Sequence, residues 1–370
     1  MSYLRFSLLI FLFFSPLSFA KTAPIPVTVV FPNKPDYAYF KSMHNLMLVA
    51  ASQLNIKLSV VYSHNNRHYV LQKIHEEFTS SQQPKYLILP PMHNVLEPAL
   101  KLAQKHKTQV ITINSKPPEQ EQAKLIGPRL IYPNWIASIS SPDVQVGYQL
   151  ANDLIQAAKT KLKENEKVRV LALLGRKNNT ASDERGLGLK QALQEYSNTT
   201  ELVGWHHVGW SKKLSRPKLH KLAKELPKFD ILWVPGDSIA DAAISIFSQY
   251  NLIAGKDYIL GGIDWSNNGL EAVTSGQQII NYGGQYLDGV RALILISDYD
   301  KGIDILQHGS AELITPFVRI DKTNIRDYLN FINEKKWLKI NFVNFTSANN
   351  PANKYQFTML DLLKMQKAQQ

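Results

Sequence analysis

Asp264 and Trp265 follow directly on the apolar run Tyr258–Ile263, where a buried parallel strand would end. A carboxylate can accept two hydroxyl hydrogen bonds, and an indole offers a flat apolar face. Groups of this kind beyond the carboxyl end of a strand are how open α/β sheets hold small polar ligands. His93 and Asn114 also fall at strand ends that would face the same crevice. Asp237, after Val234, reads as the cap of the helix that follows it.

Covalent chemistry finds little support. There is no G-x-S-x-G elbow, no HExxH and no G-x-x-x-x-G-K-[ST]. The glycines of Glu184–Lys190 open a helix but lack the dinucleotide spacing. His206 and His207 are adjacent on a strand, so their side chains point to opposite faces. The ten histidines form no ligand-spaced set, so neither metal nor cofactor is expected.

The chain of 370 residues exceeds one ordinary core, and roughly 150 residues per domain suggests two. Arg5 is the only charge in the first twenty residues. The apolar run Leu8–Phe14 ends at Ser18-Phe19-Ala20, which reads as a signal peptide cleaved after Ala20. The alternative, an uncleaved anchor, would need about 20 apolar residues. There is no cysteine, hence no disulfide and no thioether lipid anchor, and a Gram-negative periplasm fits best. Net charge is +12, but the lysines are spread over helices, so nucleic acid is not an expected partner.

The elements that must position these residues follow from periodicity. Val27–Phe31 is a β-branched run, and Asp36–Leu54 places apolar residues on one helical face. Strand Lys57–Tyr62, helix Arg67–Thr79, strand Tyr86–Leu89, helix Val95–Lys105 and strand Gln109–Ile113 continue a βαβ series. Lys116–Arg129 is polar and Pro-rich without a period, and reads as a surface insertion. The long helix Pro142–Lys163 leads into a second series, from strand Val168–Leu174 to strand Tyr258–Ile263. Strand Gln278–Tyr282, a Gly283-Gly284 break, helix Gln285–Tyr299, the extended Leu313–Ile320 and helix Thr323–Asn333 close the pattern. The expected fold is α/β: two doubly wound parallel-sheet lobes joined by a hinge of several crossings. Residues 27–137 with 285–312 would form the first lobe and 138–284 with 313–333 the second. Residues 334–370 would be a C-terminal extension whose last residues are loosely held.

This order of motifs resembles the type I periplasmic binding proteins of the ribose- and galactose-binding kind, from about Val27 to Asn333. The run Tyr282–Asp304 also looks like a branch near the autoinducer-2 receptors. The resemblance implies an aromatic pair after the first strand at Tyr39 and Phe40, and a hydroxyl-gripping arginine at Arg185 within Glu184-Arg185-Gly186. It implies an aromatic at Trp210, a ligand carboxylate at Asp264 and a hinge glutamine at Gln285. Three places depart from the pattern: Asn114-Ser115 replaces an Asp-Arg pair, Gly236 an asparagine, and Tyr37 an early ligand asparagine. Tyr37, His93, Asp237 and Trp265 form a second rank of candidates.

Each candidate has a plainer reading. Arg185 offers a fork of donors to ring-plane hydroxyls, or a salt bridge. Asp264 accepts hydroxyls, or caps the next helix. Trp210, Phe40 and Tyr39 stack on a sugar face, or pack in a core. Trp265 lines the cleft or the interface between lobes. The function implied is a periplasmic solute receptor that closes on a sugar or sugar-like ligand. Its partner would be an inner-membrane ABC permease, or alternatively a membrane sensor kinase or cyclic-dinucleotide signalling protein. A periplasmic α/β hydrolase is the reading from another class.

Overall fold

The computed structural model describes residues 23–368 apart from six single positions, 36, 65, 164, 333, 353 and 356. The expected signal peptide and its cleavage after Ala20 lie outside the described residues. Among the described residues no helix is long and apolar enough to cross a membrane.

The first series runs β1 (Ile25–Phe31), α1 (Ala38–Gln53), β2 (Ile56–Tyr62), α2 (Arg67–Thr79), β3 (Tyr86–Leu89), α3 (Leu96–Lys105), β4 (Gln109–Thr112), α4 (Glu119–Leu125) and β5 (Trp135–Ser140). The second runs α5 (Asp143–Lys159), β6 (Val168–Leu174), α6 (Thr180–Glu195), β7 (Thr200–His207), α7 (Lys212–Glu225), β8 (Ile231–Trp233), α8 (Asp237–Phe247), β9 (Ile259–Ile263), α9 (Asn267–Ser275) and β10 (Ile280–Gly283). Then come α10 (Asp288–Asp300), β11 (Glu312–Ile314), β12 (Val318–Asp321), α11 (Ile325–Ile332) and α12 (Met359–Ala368).

Two six-stranded sheets result, in the orders β11-β5-β4-β3-β1-β2 and β12-β10-β9-β8-β6-β7. All pairings are parallel except β12 against β10. The fully buried strands β3, β5 and β9 carry continuous apolar or small residues, as strands covered on both faces must. Each sheet is sandwiched between helices, and its core divides into a cluster on either face.

The chain changes sheet three times, between Ser140 and Asp143, Gly283 and Asp288, and Ile314 and Val318. Strand β5 reaches Ser140 and β11 reaches Ile314 within the first sheet, two residues or so beyond the boundaries at 138 and 313 drawn from sequence. Leu313–Ile320 is therefore two strands in two sheets, broken at Pro316. Lys116–Arg129, which reads from sequence as a surface insertion without a period, contains α4, which buries Leu125 and Glu121. Glu121 accepts the Asn94 backbone N–H at 2.6 Å, so a polar helix is anchored by pairing instead of by an apolar stripe.

The C-terminal segment packs on the first lobe. Trp337, Ile340, Phe342, Phe345, Tyr355, Phe357, Met359 and Leu362 join the cluster formed by α1 and α10. Gln53 donates to the Ile340 carbonyl at 2.8 Å and accepts the Phe342 N–H at 2.7 Å. Asp298, fully buried, accepts the N–H groups of Ser347 (2.6 Å) and Ala348 (3.1 Å) and the Tyr355 hydroxyl (3.0 Å). Arg291 donates to the carbonyls of Phe357 and Ile314, tying the segment to the third crossing. Residues 369–370, part of the tail expected to be loose, lie outside the described residues. Asp298→Ala would remove the shared acceptor of these three donors, of which the Ser347 N–H and the Tyr355 hydroxyl are buried. Chemical denaturation is expected to show a loss of about 3 kcal/mol, measured on the transition of the first lobe.

Candidate functional site

A cavity of about 730 Å³ lies between the lobes, walled by residues from both. Its lining is drawn from the turns that follow the strands: Pro32-Asn33, Ser63, Pro90–His93 and Asn114-Ser115 in the first lobe, and Arg176–Ala181, Trp210 and Asp264 in the second. This is the carboxyl edge of both sheets, where side chains and helix N-termini converge.

Two helices fix the floor on the second lobe. Gly147 of α5 lies against the Arg185 backbone, where a Cβ would come within 2.1 Å of the Arg185 carbonyl oxygen. Gly188 meets Val144 of α5 equally closely. That contact brings Asp143, first residue of α5, to Arg185. The guanidinium donates Nε–H to Asp143 Oδ1 at 2.7 Å and Nη1–H to the Pro235 carbonyl at 2.6 Å. Its Nη1 stands 3.7 Å from Asp264 Oδ1, and Phe317, from the third crossing, lies under its plane at 5.4 Å. Both the salt-bridge and the cleft readings of Arg185 therefore hold at once: it is 4 % exposed and lines the cavity.

Asp264 is held in an unusual backbone. Its φ is +116° and that of Trp265 is +54°, a region L-residues visit at a cost. The turn survives because its N–H groups are all claimed. Asp264 N–H donates to the Tyr282 carbonyl (2.7 Å), Trp265 N–H to Asn281 Oδ1 (3.3 Å) and Ser266 N–H to Asp237 Oδ2 (2.8 Å). Asp264 does not cap α9; Ser266 does, accepting the Gly269 N–H. Burial pushes the Asp264 carboxyl up to about 8; Arg185 opposes this, Asp237 and Asp143 add to it, and Gln285, donating at 2.8 Å, opposes it again.

Trp210 lies along the wall beside Asp264, its Nε1–H donated to Asn179 Oδ1 at 3.1 Å. Two glycines make room for it. A Cβ on Gly175 would stand 2.3 Å from the indole, and one on Gly236 would stand 3.2 Å from the indole and 3.0 Å from Asp264 Oδ2. The glycine at 236, where the resemblance expected an asparagine, thus leaves space that Trp210 and Asp264 occupy. Gly175→Ala is expected to swing the indole off the wall and weaken ligand binding about tenfold with little loss of stability, read by calorimetric titration beside a melting curve.

The first lobe contributes an aromatic cluster at the start of α1. Tyr39 and Phe40 pack edge to face at 4.9 Å, and Tyr37 stands 6.0 Å from Phe40. Tyr37 lines the cavity, and burial followed by the Asp264 charge raises its hydroxyl pKa. The Tyr39 hydroxyl is buried, lacks a partner and lies in the cavity wall. Asn114, at φ +79°, lines the cavity and donates its N–H to Asp288 Oδ2 at 2.9 Å. His93 lines it too, 2.9 Å from the Glu121 carboxylate.

Of the residues named from sequence, Tyr37, Tyr39, Phe40, His93, Asn114, Arg185, Trp210 and Asp264 are brought to one cavity. Three are not. Gln285 is buried behind Asp264 and positions that carboxylate. Trp265 turns away and packs edge-on against Tyr328 at 5.0 Å. Asp237 neither lines the cavity nor caps α8, whose cap is Gly236; it accepts from Ser266 and from Asn281 Nδ2 (2.6 Å) and so braces the Asp264 turn. Asn33, Ser63, Asn66, Arg67, Arg176, Lys177 and Thr180 were missed. Their signal was position alone, each falling just beyond a strand's carboxyl end.

The family model described as "Periplasmic binding protein domain" matches residues 27–285. No curated protein matches the chain. Among solved structures, the chain is similar to a periplasmic sugar-binding protein from Pseudomonas fluorescens, at 22% identity, 91% of this chain, 99% of that one and a TM-score of 0.81. A twin-arginine translocation pathway signal protein from Burkholderia phytofirmans is 19% identical over 91% of this chain and 98% of its own, with a TM-score of 0.73. A Caulobacter myo-inositol binding protein is 16% identical over 82% and 95%, with a TM-score of 0.68. These likenesses concern the fold, two lobes with a cleft between them.

Proposed function

The chain belongs to the periplasmic binding protein family, and on that premise we propose that it is a solute receptor that closes around a small polyhydroxylated ligand. One observation carries the reading. A buried carboxylate–guanidinium pair, Asp264 and Arg185, faces the aromatic cluster of the other lobe across a single cavity of about 730 Å³. A sugar presents hydroxyls in the ring plane and C–H groups on its faces, and needs polar groups at the edge with aromatic rings against the face. Asp264 and Arg185 supply the first, Trp210, Phe40 and Tyr39 the second.

Residues of both lobes would touch the ligand together, so it binds the closed form better than the open one. That differential affinity is what drives closure. Motion would be absorbed at the three crossings, where Thr315 and Asp288 are hydrogen-bonded to each other. The closed surface is then read by a membrane partner, an ABC permease first and a membrane sensor protein second. Export to the periplasm is supported by the family and by the signal peptide expected from the sequence.

A thermal-shift screen of pentoses, hexoses, inositols and furanoses against the purified protein tests this. At least one is expected to raise the melting temperature by several degrees, as mass action requires of a ligand that binds the folded state alone. Silence across the panel and across the phosphorylated and carboxylated counterparts of its members would sink the receptor reading.

A further inference from the structure

The wall of the cleft has a charge balance that a neutral sugar does not use. Among the described lining residues, Arg67, Arg176, Lys177 and Arg185 stand against a single carboxylate, Asp264. Asp264 and Arg185 are buried and lie beside each other, so that pair is settled. The other three cations are exposed at the mouth, and no carboxylate of the described residues pairs with them. They come from both lobes. Arg67 opens α2 in the first, while Arg176 and Lys177 sit on the β6–α6 turn of the second.

That turn leads into the N-terminus of α6, a helix of 16 residues. Thr180, its first residue, lines the cleft, is 8 % exposed, and its hydroxyl has no partner. Helix N-terminal N–H groups and their dipole favour an anion, and arginine matches a phosphate or carboxylate with two parallel hydrogen bonds.

We propose that the mouth of the cleft is an anion subsite, built from Arg176, Lys177 and Thr180 on one lobe and Arg67 on the other, so that the ligand is a sugar or polyol carrying a phosphate or carboxylate group. The inference rests on the receptor reading above and adds the charge of the ligand to it. Hydroxyls go to Asp264 and Arg185 at the floor, and the anionic group remains at the rim. Because Arg67 and Arg176 are on different lobes, the anion also strengthens closure.

Calorimetric titration with matched sets tests it: ribose and ribose 5-phosphate; glucose, glucose 6-phosphate and glucuronate; myo-inositol and its monophosphate. In at least one set an anionic member should bind tenfold or more tightly than its neutral parent at low salt, and the margin should shrink at high salt. The double variant Arg176→Gln/Lys177→Gln should lose that margin, while Lys213→Gln, an exposed cation on α7 outside the cleft, should keep it. Preference for glucose 6-phosphate assigns the subsite to phosphate, and preference for glucuronate assigns it to carboxylate. Tight binding of a neutral sugar with no anionic margin, or a margin that survives the double variant, overturns the subsite and leaves the receptor standing. Failure of every arm overturns both.

Discussion

Arg185→Gln is expected to abolish ligand binding and to destabilise the second lobe by about 3–5 kcal/mol, the usual cost of removing one partner from a buried ion pair. Among the described residues the guanidinium is the cation in direct contact with the buried carboxylates at the floor of the cleft, with Lys116 adding a weaker pull on Asp143 from further away. It bonds Asp143 at 2.7 Å and stands near Asp264, and both carboxylates are buried. Burial already raises the Asp143 carboxyl against the pull of Arg185. Without that pull, both carboxylates move further up. Their neutral forms then supply the stability, and these are present at low pH and lost as pH rises. The variant should therefore lie nearest wild type around pH 5 and fall away from it towards pH 8. Melting curves across that range check the trend. Arg185→Lys should not restore binding, because an ammonium lacks the fork that reaches Asp143 and the Pro235 carbonyl together.

Asp264→Asn separates stability from function. Its carboxyl stands at about 8 in the folded protein against an ordinary 3.8. A carboxyl raised on folding contributes stability that is complete below about pH 4 and lost as pH climbs through 8. At pH 8 the wild type thus holds a buried charge at a cost. An amide of the same shape can still accept from Gln285 but carries no charge. The ligand-free variant is expected to be more stable than wild type at pH 8, on the order of 1–3 kcal/mol, with the advantage shrinking as pH falls and gone near pH 4. Ligand affinity should fall about a hundredfold, since the acceptor for two hydroxyls is lost. Asp237 at about 6, Asp288 at about 7 and Glu184 at about 7 are raised by burial in the same sense. Ligand-free wild type should accordingly lose stability from pH 5 to pH 8. A variant less stable than wild type at pH 8 would contradict this account of the floor.

Much of this was legible in the chain because the physics is local. Runs such as Val27–Phe31 and Tyr258–Ile263 are apolar throughout, as a strand covered on both faces requires, and the helices between them keep an apolar face at the helical period. Once the alternation is read, the strand ends are known, and most of the cavity lining lies there. The order of residues could not show which way a side chain turns. Asp264 and Trp265 are neighbours, yet an inverted φ at each sends one into the cleft and the other against Tyr328. Gln285 lies one residue past the Gly283-Gly284 break, and only the packing of three crossings puts it behind Asp264. The C-terminal segment was opaque for another reason. Trp337, Phe342, Phe345, Tyr355 and Phe357 sit in short turns without period, and each joins the core around α1 and α10 in a way the segment itself does not announce.

The central claim is that a hydroxylated ligand is held between the lobes by Asp264 and Arg185 and faced by the aromatic rings. A crystal structure of the protein with the sugar that stabilises it most tests this directly. The account predicts ring hydroxyls within hydrogen-bond distance of the Asp264 carboxyl and the Arg185 guanidinium, with Trp210 or Phe40 against a ring face. A sugar bound on the outer surface, with the cleft left to water, would contradict it.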